Sequence, residues 1–432
     1  METIVCKLNK EDTFEVETNS QVLDFTDKKE YHYSFYKSLT RLYKMPNPFK
    51  EEALDLLYIA MAVYFADRRV LREKTYDGWT RSFKIYIPVL KLEKWKAQKE
   101  NLEKTVSFLS GDIWSFEFRE RELNKVEKKV KDKIGRWYVG DKFTPNEFCM
   151  LSGGLDSFIG AIDLLTAKKN IAFVGVYGGG KSVKPYQDKV NKILQEEFSV
   201  EDDYFFNFNA TPIKGAEITT RTRSFLFFSH AIILASCIDK ETTVHIPENG
   251  LISLNIPLTN TRLGSSSTRT THPYYMKMLQ NLLDRLDIKV NLNNPYQFKT
   301  KGEMIIECKN QKLIKNEYSI TMSCSHPDQV RYDGSSKPLH CGKCLPCSIR
   351  RAAILKAYKT DLGEYSDANF EKPKAKTELQ SIKLGLKDYE KNKHNPLIIQ
   401  IAGPIEENFD KYQQVYSRGM NELKLLIDSI NE

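Results

Sequence analysis

The 432-residue chain predicts an α/β fold: a doubly wound parallel sheet, preceded by an extra N-terminal α+β domain and carrying a zinc-binding C-terminal lobe. Three observations predict it. From residue 146 onward, short apolar runs alternate with stretches of helical periodicity, the pattern of parallel strands covered by helices on both faces. A turn rich in Ser and Gly, Ser152-Gly-Gly-Leu-Asp-Ser157, falls between the first of these strands and the first of these helices. Four of the eight cysteines gather within a short span near residue 340.

The elements follow in order. Residues 1–140 form the accessory domain, with strands expected at Ile4 to Leu8, Thr13 to Val16, Phe83 to Leu90 and Trp114 to Phe118. Ala53, Leu54, Leu57, Ala60, Met61 and Tyr64 share one face of a long helix from Pro48 to Arg69. The aromatics Tyr31, Tyr33, Phe35, Tyr36 and Tyr43 read as strand and core packing. The charge-rich stretch Glu120 to Lys133 reads as a solvated helix leading into the next domain, residues 146–355. There the strands are Phe148 to Leu151, Ile171 to Tyr177, Tyr204 to Phe208 and Thr242 to Ile246; the helices start at Leu155, Tyr186, Ser224 and Tyr274. Residues 360–432 are a charged linker and helical tail, with a strand at Leu397 to Ile401 and a helix from Tyr412 to Ile430.

The first βα turn carries the clearest chemistry. Consecutive Gly153 and Gly154 let the backbone pass close to a bulky anion, while Ser152, Ser157 and the free amides of the first helical turn supply donors. The arrangement is a phosphate cradle. Gly175 to Ser182 also matches G-x-x-x-x-G-K-S, but its first glycine falls inside a predicted strand and Pro185 follows closely, so the context of a P-loop is missing. A Gly-rich loop at the ligand edge, with Lys181 reaching a phosphate, is the better reading. Arg221 and Arg223 open a buried helix, where a cation opposes the helix dipole and needs an anion or a path to solvent. Glu248 in Pro247-Glu-Asn-Gly250, and Thr271 in the polar loop from Arg262 to Pro273, are candidate substrate contacts.

The net charge of +8 suits an anionic nucleotide; nucleic acid is not implied, because acids interleave with the basic residues. No apolar run reaches membrane-spanning length, and the N-terminus lacks the layout of a secretory signal, so a cytoplasmic location is expected. Cys6, Cys149, Cys237 and Cys308 read as buried thiols. Cys324, Cys341, Cys344 and Cys347 suit tetrahedral zinc with no open position, although thiolate sets also hold iron–sulfur clusters, and His326 or His340 is an alternative ligand.

Ser152 to Ser157 resembles the pyrophosphate loop of the ATP pyrophosphatases. Taken with Arg223-Ser-Phe-Leu-Phe-Phe-Ser, Thr300-Lys301-Gly-Glu303 and Cys341-Gly-Lys-Cys-Leu-Pro-Cys, the chain is similar to the QueC family of 7-cyano-7-deazaguanine synthases over residues 146–355. The resemblance implies an adenine nucleotide alpha hydrolase-like (HUP) sheet, ATP and Mg²⁺ as cosubstrate, and zinc on the four cysteines. It also implies Asp156, Ser157 and Arg223 as catalytic residues, Ser152, Gly153, Gly154, Asp156 and Ser157 around the phosphates, and Arg223 and Lys301 beside the substrate. Ser224 and Gly302 depart from the family pattern, which has Asn and Ala there. The long form resembles the QueC-like proteins of antiphage operons, QatC of the Qat system and the QueC-like component of type IV CBASS. Those relatives imply adenylation of a deazapurine carboxylate and its transfer to the amino terminus of a protein partner from the same operon. Nitrile synthesis with ammonia is the alternative reaction, and an inactive partner-binding scaffold is the alternative of another class.

Overall fold

The structure, a computed structural model, describes residues 1–17, 19–35, 45–134, 145–177, 183–238, 240–258, 268–325, 327 and 338–431. The first part of the chain comprises β1 (Glu2–Lys7), β2 (Gln21–Asp24), β3 (Tyr31–Tyr33), α1 (Glu51–Arg69), β4 (Ser82–Val89), α2 (Leu92–Ala97), α3 (Lys99–Ser110), β5 (Ile113–Glu120) and α4 (Lys125–Lys133). The middle comprises β6 (Glu147–Met150), α5 (Leu155–Thr166), β7 (Ile171–Tyr177), α6 (Lys184–Phe198), β8 (Phe205–Pro212), α7 (Arg223–Ala235), β9 (Thr242–His245), α8 (Gly250–Leu254), α9 (Pro273–Arg285) and β10 (Val290–Asn293). Helices α10 (Lys301–Ile306), α11 (Gln311–Glu317), α12 (Leu345–Tyr358), α13 (Pro373–Asn392) and α14 (Phe409–Asn431) complete it.

Two sheets result. The larger runs β10-β9-β6-β7-β8-β3 and is parallel except for its edge strand β3, which pairs antiparallel with β8. The chain builds outward from β6 to β8, then returns to add β9 on the other flank of β6. This reversal opens a crevice beyond the carboxyl ends of β6 and β9, the place where ligands enter open α/β sheets. Gly175 lies inside β7, where a Cβ would come within 2.6 Å of Asn207 Oδ1. Close strand-to-strand packing explains this glycine, and residues 178–182 of the same motif fall outside the described residues.

The N-terminal region departs from expectation. Its sheet, ordered β2-β1-β4-β5, is parallel throughout, so the region is α/β and not α+β. Thr13 to Val16 is irregular, because the Asp12 carboxylate accepts the Phe14 amide at 3.1 Å and turns the chain; the strand is Gln21–Asp24 instead. Helix α1 is buried on nearly every side and not on the one expected face alone, which suits an element covered all round. It packs between the sheets, on α7 and β8 as well as on β4, and one apolar core runs from Phe83 and Ile85 to Phe206 and Phe208. Tyr31 and Phe35 lie in that core; Tyr36 and Tyr43 fall outside the described residues.

At the C-terminal end, α13 and α14 pack on each other, and α14 docks on α8 and α12. The apolar run at Leu397 to Ile401 is a 3-10 turn, Pro396–Gln400, and not a strand. Proline fixes the first helical position and the Asn395 side chain accepts the Leu397 amide at 3.0 Å, so a helical turn starts there. Among the described residues no helix is long and apolar enough to cross a membrane.

Buried charge locks the sheets together. At the end of α1, Asp67 Oδ2 accepts the amides of Arg221 and Thr222 and the Thr222 hydroxyl at 2.8, 2.9 and 2.8 Å, capping α7. Its other oxygen meets the Arg81 guanidinium at 2.5 Å, and Arg81 in turn holds Asp112 at 2.7 Å. Removing Asp67 uncaps α7 and leaves the buried guanidinium groups of Arg81 and Arg72 with the single carboxylate of Asp112 between them. Asp67→Ala is expected to lower stability by about 3–5 kcal/mol in urea denaturation; a loss below about 1 kcal/mol would mean that this network does not join the sheets.

Candidate functional site

The Ser152–Ser157 turn leaves β6 and enters α5 at the crevice. Gly153 has φ +81, and a Cβ on it would come within 3.0 Å of the Gln187 amide and side chain, so both conformation and space demand glycine. Gly154 is the N-cap in ordinary extended backbone. The Ser157 hydroxyl donates to the Gly154 carbonyl at 3.0 Å and accepts from the Ser152 amide at 3.2 Å, which fixes the loop's curvature. Ser152 is exposed at the mouth of the turn. Asp156 and Ser157 occupy helix positions whose amides have no acceptor within the helix.

Asp156 is the buried hub. Its Oδ1 faces the Lys301 ammonium at 2.8 Å, and its Oδ2 accepts the backbone and side-chain N–H groups of Asn249 at 3.1 and 2.7 Å. Burial pushes the Asp156 carboxyl up, but the Lys301 charge and these donors outweigh it and hold the group below the usual carboxylate range. Half-buried Glu248 stands beside it. Burial first, and then the negative charge of Asp156, raise Glu248 well above its ordinary value. Two carboxyl groups and one ammonium therefore share the crevice, and the two carboxyls are pushed in opposite directions.

Each partner is positioned by local structure. Asn249 caps α8 by accepting the Ile252 amide at 3.1 Å, and Glu248 is held through its backbone by Asn294 at 3.3 and 2.9 Å. Lys301 opens α10 inside a capping box in which Thr300 and Glu303 exchange hydrogen bonds at 3.2 and 2.9 Å. Gly302, where the resembled family has Ala, is explained by α14: a Cβ there would lie 2.7 Å from Glu422 Oε1. Glu422 also accepts the Gly302 amide at 3.2 Å and pairs with Lys356 at 2.9 Å. The C-terminal helix thus buttresses the element that carries Lys301.

The second face of the turn rests on the cysteine cluster. Cys324, Cys341, Cys344 and Cys347 place their sulfurs within 4.8 Å of one another, with 3.9 Å from Cys324 to Cys344 and from Cys341 to Cys347. Sulfurs about 2.3 Å from a tetrahedral ion are about 3.8 Å apart, so the set can hold a metal ion such as zinc and is too open for disulfides. Gly342 makes the turn at φ +80, where a Cβ would meet the Asp367 carbonyl at 2.7 Å, and Cys347 is carried on the first turn of α12. Hydrogen bonds from the other three thiols, that of Cys324 foremost, hold the Cys341 thiol below its ordinary value. His340 is not among the four clustered donors: its Nε2 lies 3.0 Å from the Thr321 carbonyl, and His326 falls outside the described residues. The other four cysteines are buried, and burial pushes their thiols up, that of Cys308 to about 12.

The cluster touches the turn through residues 321–324. The Met322 amide donates to the Gly153 carbonyl at 2.8 Å, and the Ser323 hydroxyl accepts the Leu155 amide at 3.4 Å. Arg350 of α12, fully buried, donates to Thr321 Oγ1 at 2.7 Å and to the Tyr318 carbonyl at 2.6 Å, pinning this segment to the cysteine helix.

Other expected residues are not drawn into the cluster. Arg223 starts α7 at the same sheet edge but is exposed, with its guanidinium 4.7 Å from the Phe227 ring centre; solvent is its exit. Arg221 is the buried member of the pair. Thr271 is buried and lies 2.9 Å from the Ser253 hydroxyl, which accepts from Asn294, so it supports Glu248 indirectly. Lys181 falls outside the described residues. Sequence reasoning missed Asn249; its signal was an Asn directly after Glu248 and before a glycine that opens a helix, an N-cap pattern.

Comparison with family models, curated proteins and solved structures finds no match to this chain.

Replacing both Cys341 and Cys347 by serine removes half of the donor set. Metal content by plasma mass spectrometry is expected to fall from about one ion per chain to near zero. Retention of a full equivalent would contradict the cluster as a metal centre.

Proposed function

We propose that the chain is an ATP-dependent enzyme that adenylates a 7-deazapurine carboxylate and passes the acyl group to an amine, in antiphage defence a protein amino terminus. The observation that carries this reading is the Asp156 crossing. A glycine-kinked turn with helix amides open to an anion is tied by one carboxylate to Asn249 and Lys301 at the sheet's switch point.

In this reading the β- and γ-phosphates sit over Ser152, Gly153, Gly154 and Ser157, and the helix amides stabilise negative charge as pyrophosphate departs. A carboxylate oxygen of the substrate attacks the α-phosphorus. That bond forms as the bond to pyrophosphate breaks, giving an acyl-adenylate. The amine then attacks the acyl carbon, AMP leaves with the bonding pair, and the amine proton passes to water or to AMP. Holding both reactants in one crevice replaces an encounter with a positioned reaction.

Asp156 and Glu248 are hard oxygen donors of the kind Mg²⁺ takes, and an ion bound there would displace the proton that burial and the Asp156 charge favour on Glu248. Bound there, Mg²⁺ would neutralise the triphosphate. Lys301 and Asn249 keep Asp156 ionised and oriented. Arg223, exposed at the same edge, is available in this scheme to meet a phosphate or the substrate carboxylate. The sheet before residue 140 and the helices after 360 give the protein surfaces beyond the activation site, which suits a macromolecular acceptor more than ammonia.

The test incubates the full chain with ATP, 7-carboxy-7-deazaguanine and either ammonium or candidate partner proteins, and reads AMP, pyrophosphate and product masses. AMP release and a protein adduct are expected; nitrile without adduct would move the assignment to the synthase reaction, and no AMP with any acceptor would refute the enzyme. Asp156→Ala is expected to lower AMP formation by at least about 100-fold, whereas Lys181→Ala keeps most of it. The reverse pattern would place the phosphates elsewhere.

A further inference from the structure

The seam between the two sheets holds a buried cation without an anion. Arg221, in the loop from β8 to α7, is 6% exposed, yet among the described residues its guanidinium has no hydrogen-bond acceptor and no carboxylate within ion-pair distance. Other buried arginines of this chain are matched. Arg81 is held by Asp67 and Asp112, Arg72 is bidentate on Asp112 at 3.0 and 2.9 Å, and Arg350 meets a carbonyl and a hydroxyl. Arg221 has only the Trp79 ring, 4.7 Å from its Cζ, and Trp79 also carries Arg72 at 4.6 Å. Asp67 and Asp112 lie near enough to attract Arg221, but their oxygens are already engaged.

A second cation adds to the imbalance. Half-buried Arg269 donates to the Phe108 carbonyl at 2.6 Å, stacks on that ring at 4.5 Å and repels Arg221, with no carboxylate of its own among the described residues. Fully buried His272 packs on the same Phe108 ring at 5.3 Å. Its Nδ1 accepts the Tyr274 amide at 3.2 Å, so in the neutral ring Nε2 carries the hydrogen, and that buried donor has no partner.

We infer that Arg221, Arg269 and His272 form an oxyanion-binding site at this seam, a site that shares no residue with the Ser152–Ser157 turn and takes the phosphate or carboxylate group of a small ligand. A planar guanidinium offers a paired donor edge to such a group, and desolvation makes the charge-assisted bonds strong. Uncompensated burial of a guanidinium is otherwise costly. Burial first, and then the neighbouring Arg72 and Arg269 charges, pull Arg221 down to about 10. Trp79 and Arg269 are only half-buried, so the site has an edge open to solvent. The site does not depend on the proposed adenylation.

The experiment titrates the full chain with inorganic phosphate and, separately, with acetate, by calorimetry and by phosphorus NMR line width. Millimolar binding of at least one is expected in the wild type, weakened about tenfold or more in Arg221→Met and in Arg269→Gln. Whichever anion binds more tightly identifies the group. Without anion, Arg221→Met is expected to melt no lower than the wild type, because it removes an uncompensated charge. Equal binding in both variants, no binding of either anion up to roughly 20 mM, or a large loss of anion-free stability in Arg221→Met would each overturn the site and make Arg221 a structural residue. Arg269→Gln, on the exposed side, gives the answer if Arg221→Met does not fold.

Discussion

The ligand edge of the larger sheet depends on one buried carboxylate. Asp156 joins three stretches that are far apart in sequence: the turn after β6, the Glu248–Asn249 corner after β9 and the start of α10. Parallel strands cannot bring such loops together by pairing alone, since their hydrogen bonds end where the crevice begins. A charge held in low dielectric does so instead, because leaving any of its partners unmet is costly. The crevice is therefore shaped by electrostatics as much as by packing.

The rest of the molecule reads as support for that crossing. From one side, α14 sets Glu422 against the Gly302 amide and Lys356, which steadies the first turn of α10 and with it Lys301. From the other side, the cysteine knuckle holds Cys324, and Arg350 holds the segment before it, so that Met322 and Ser323 bond the turn's backbone. A metal bound there would act on the turn without touching a ligand, by fixing the segment that lies against it. Beneath both, α1 fills the space between the sheets and Asp67 ties its end to α7.

Local features were legible in the sequence where short-range physics decides them. Ser152 to Ser157 could be read because a strand period gives way to a helix period across two glycines, and the strand Ile171–Tyr177 because a β-branched run has no other use. The spacing of Cys341, Cys344 and Cys347 likewise carries its geometry within a few residues. Long-range matters were not legible. That β1 pairs with β4 in parallel, and that β3 crosses to the edge of the other sheet, depends on partners tens of residues distant. The contrast between Arg221 and Arg223 shows the same limit: two residues on one helix start look alike in sequence, and only the neighbouring Asp67, Trp79 and Gly111 decide which one is buried. Thr13 to Val16 and Leu397 to Ile401 misled because short alternating or apolar runs fit several conformations, and side-chain caps from Asp12 and Asn395 settled them.

The central claim is that the Ser152–Ser157 turn holds the phosphates of a nucleotide while Asp156 stays fixed beneath them. A crystal structure of the full chain with Mg²⁺ and an ATP analogue that resists cleavage between the α- and β-phosphates tests it most directly. The account predicts β- and γ-phosphate oxygens within about 3 Å of the turn's amides and serine hydroxyls, with Asp156 still paired to Asn249. A triphosphate bound anywhere else, or a turn left empty at saturating analogue, would contradict it.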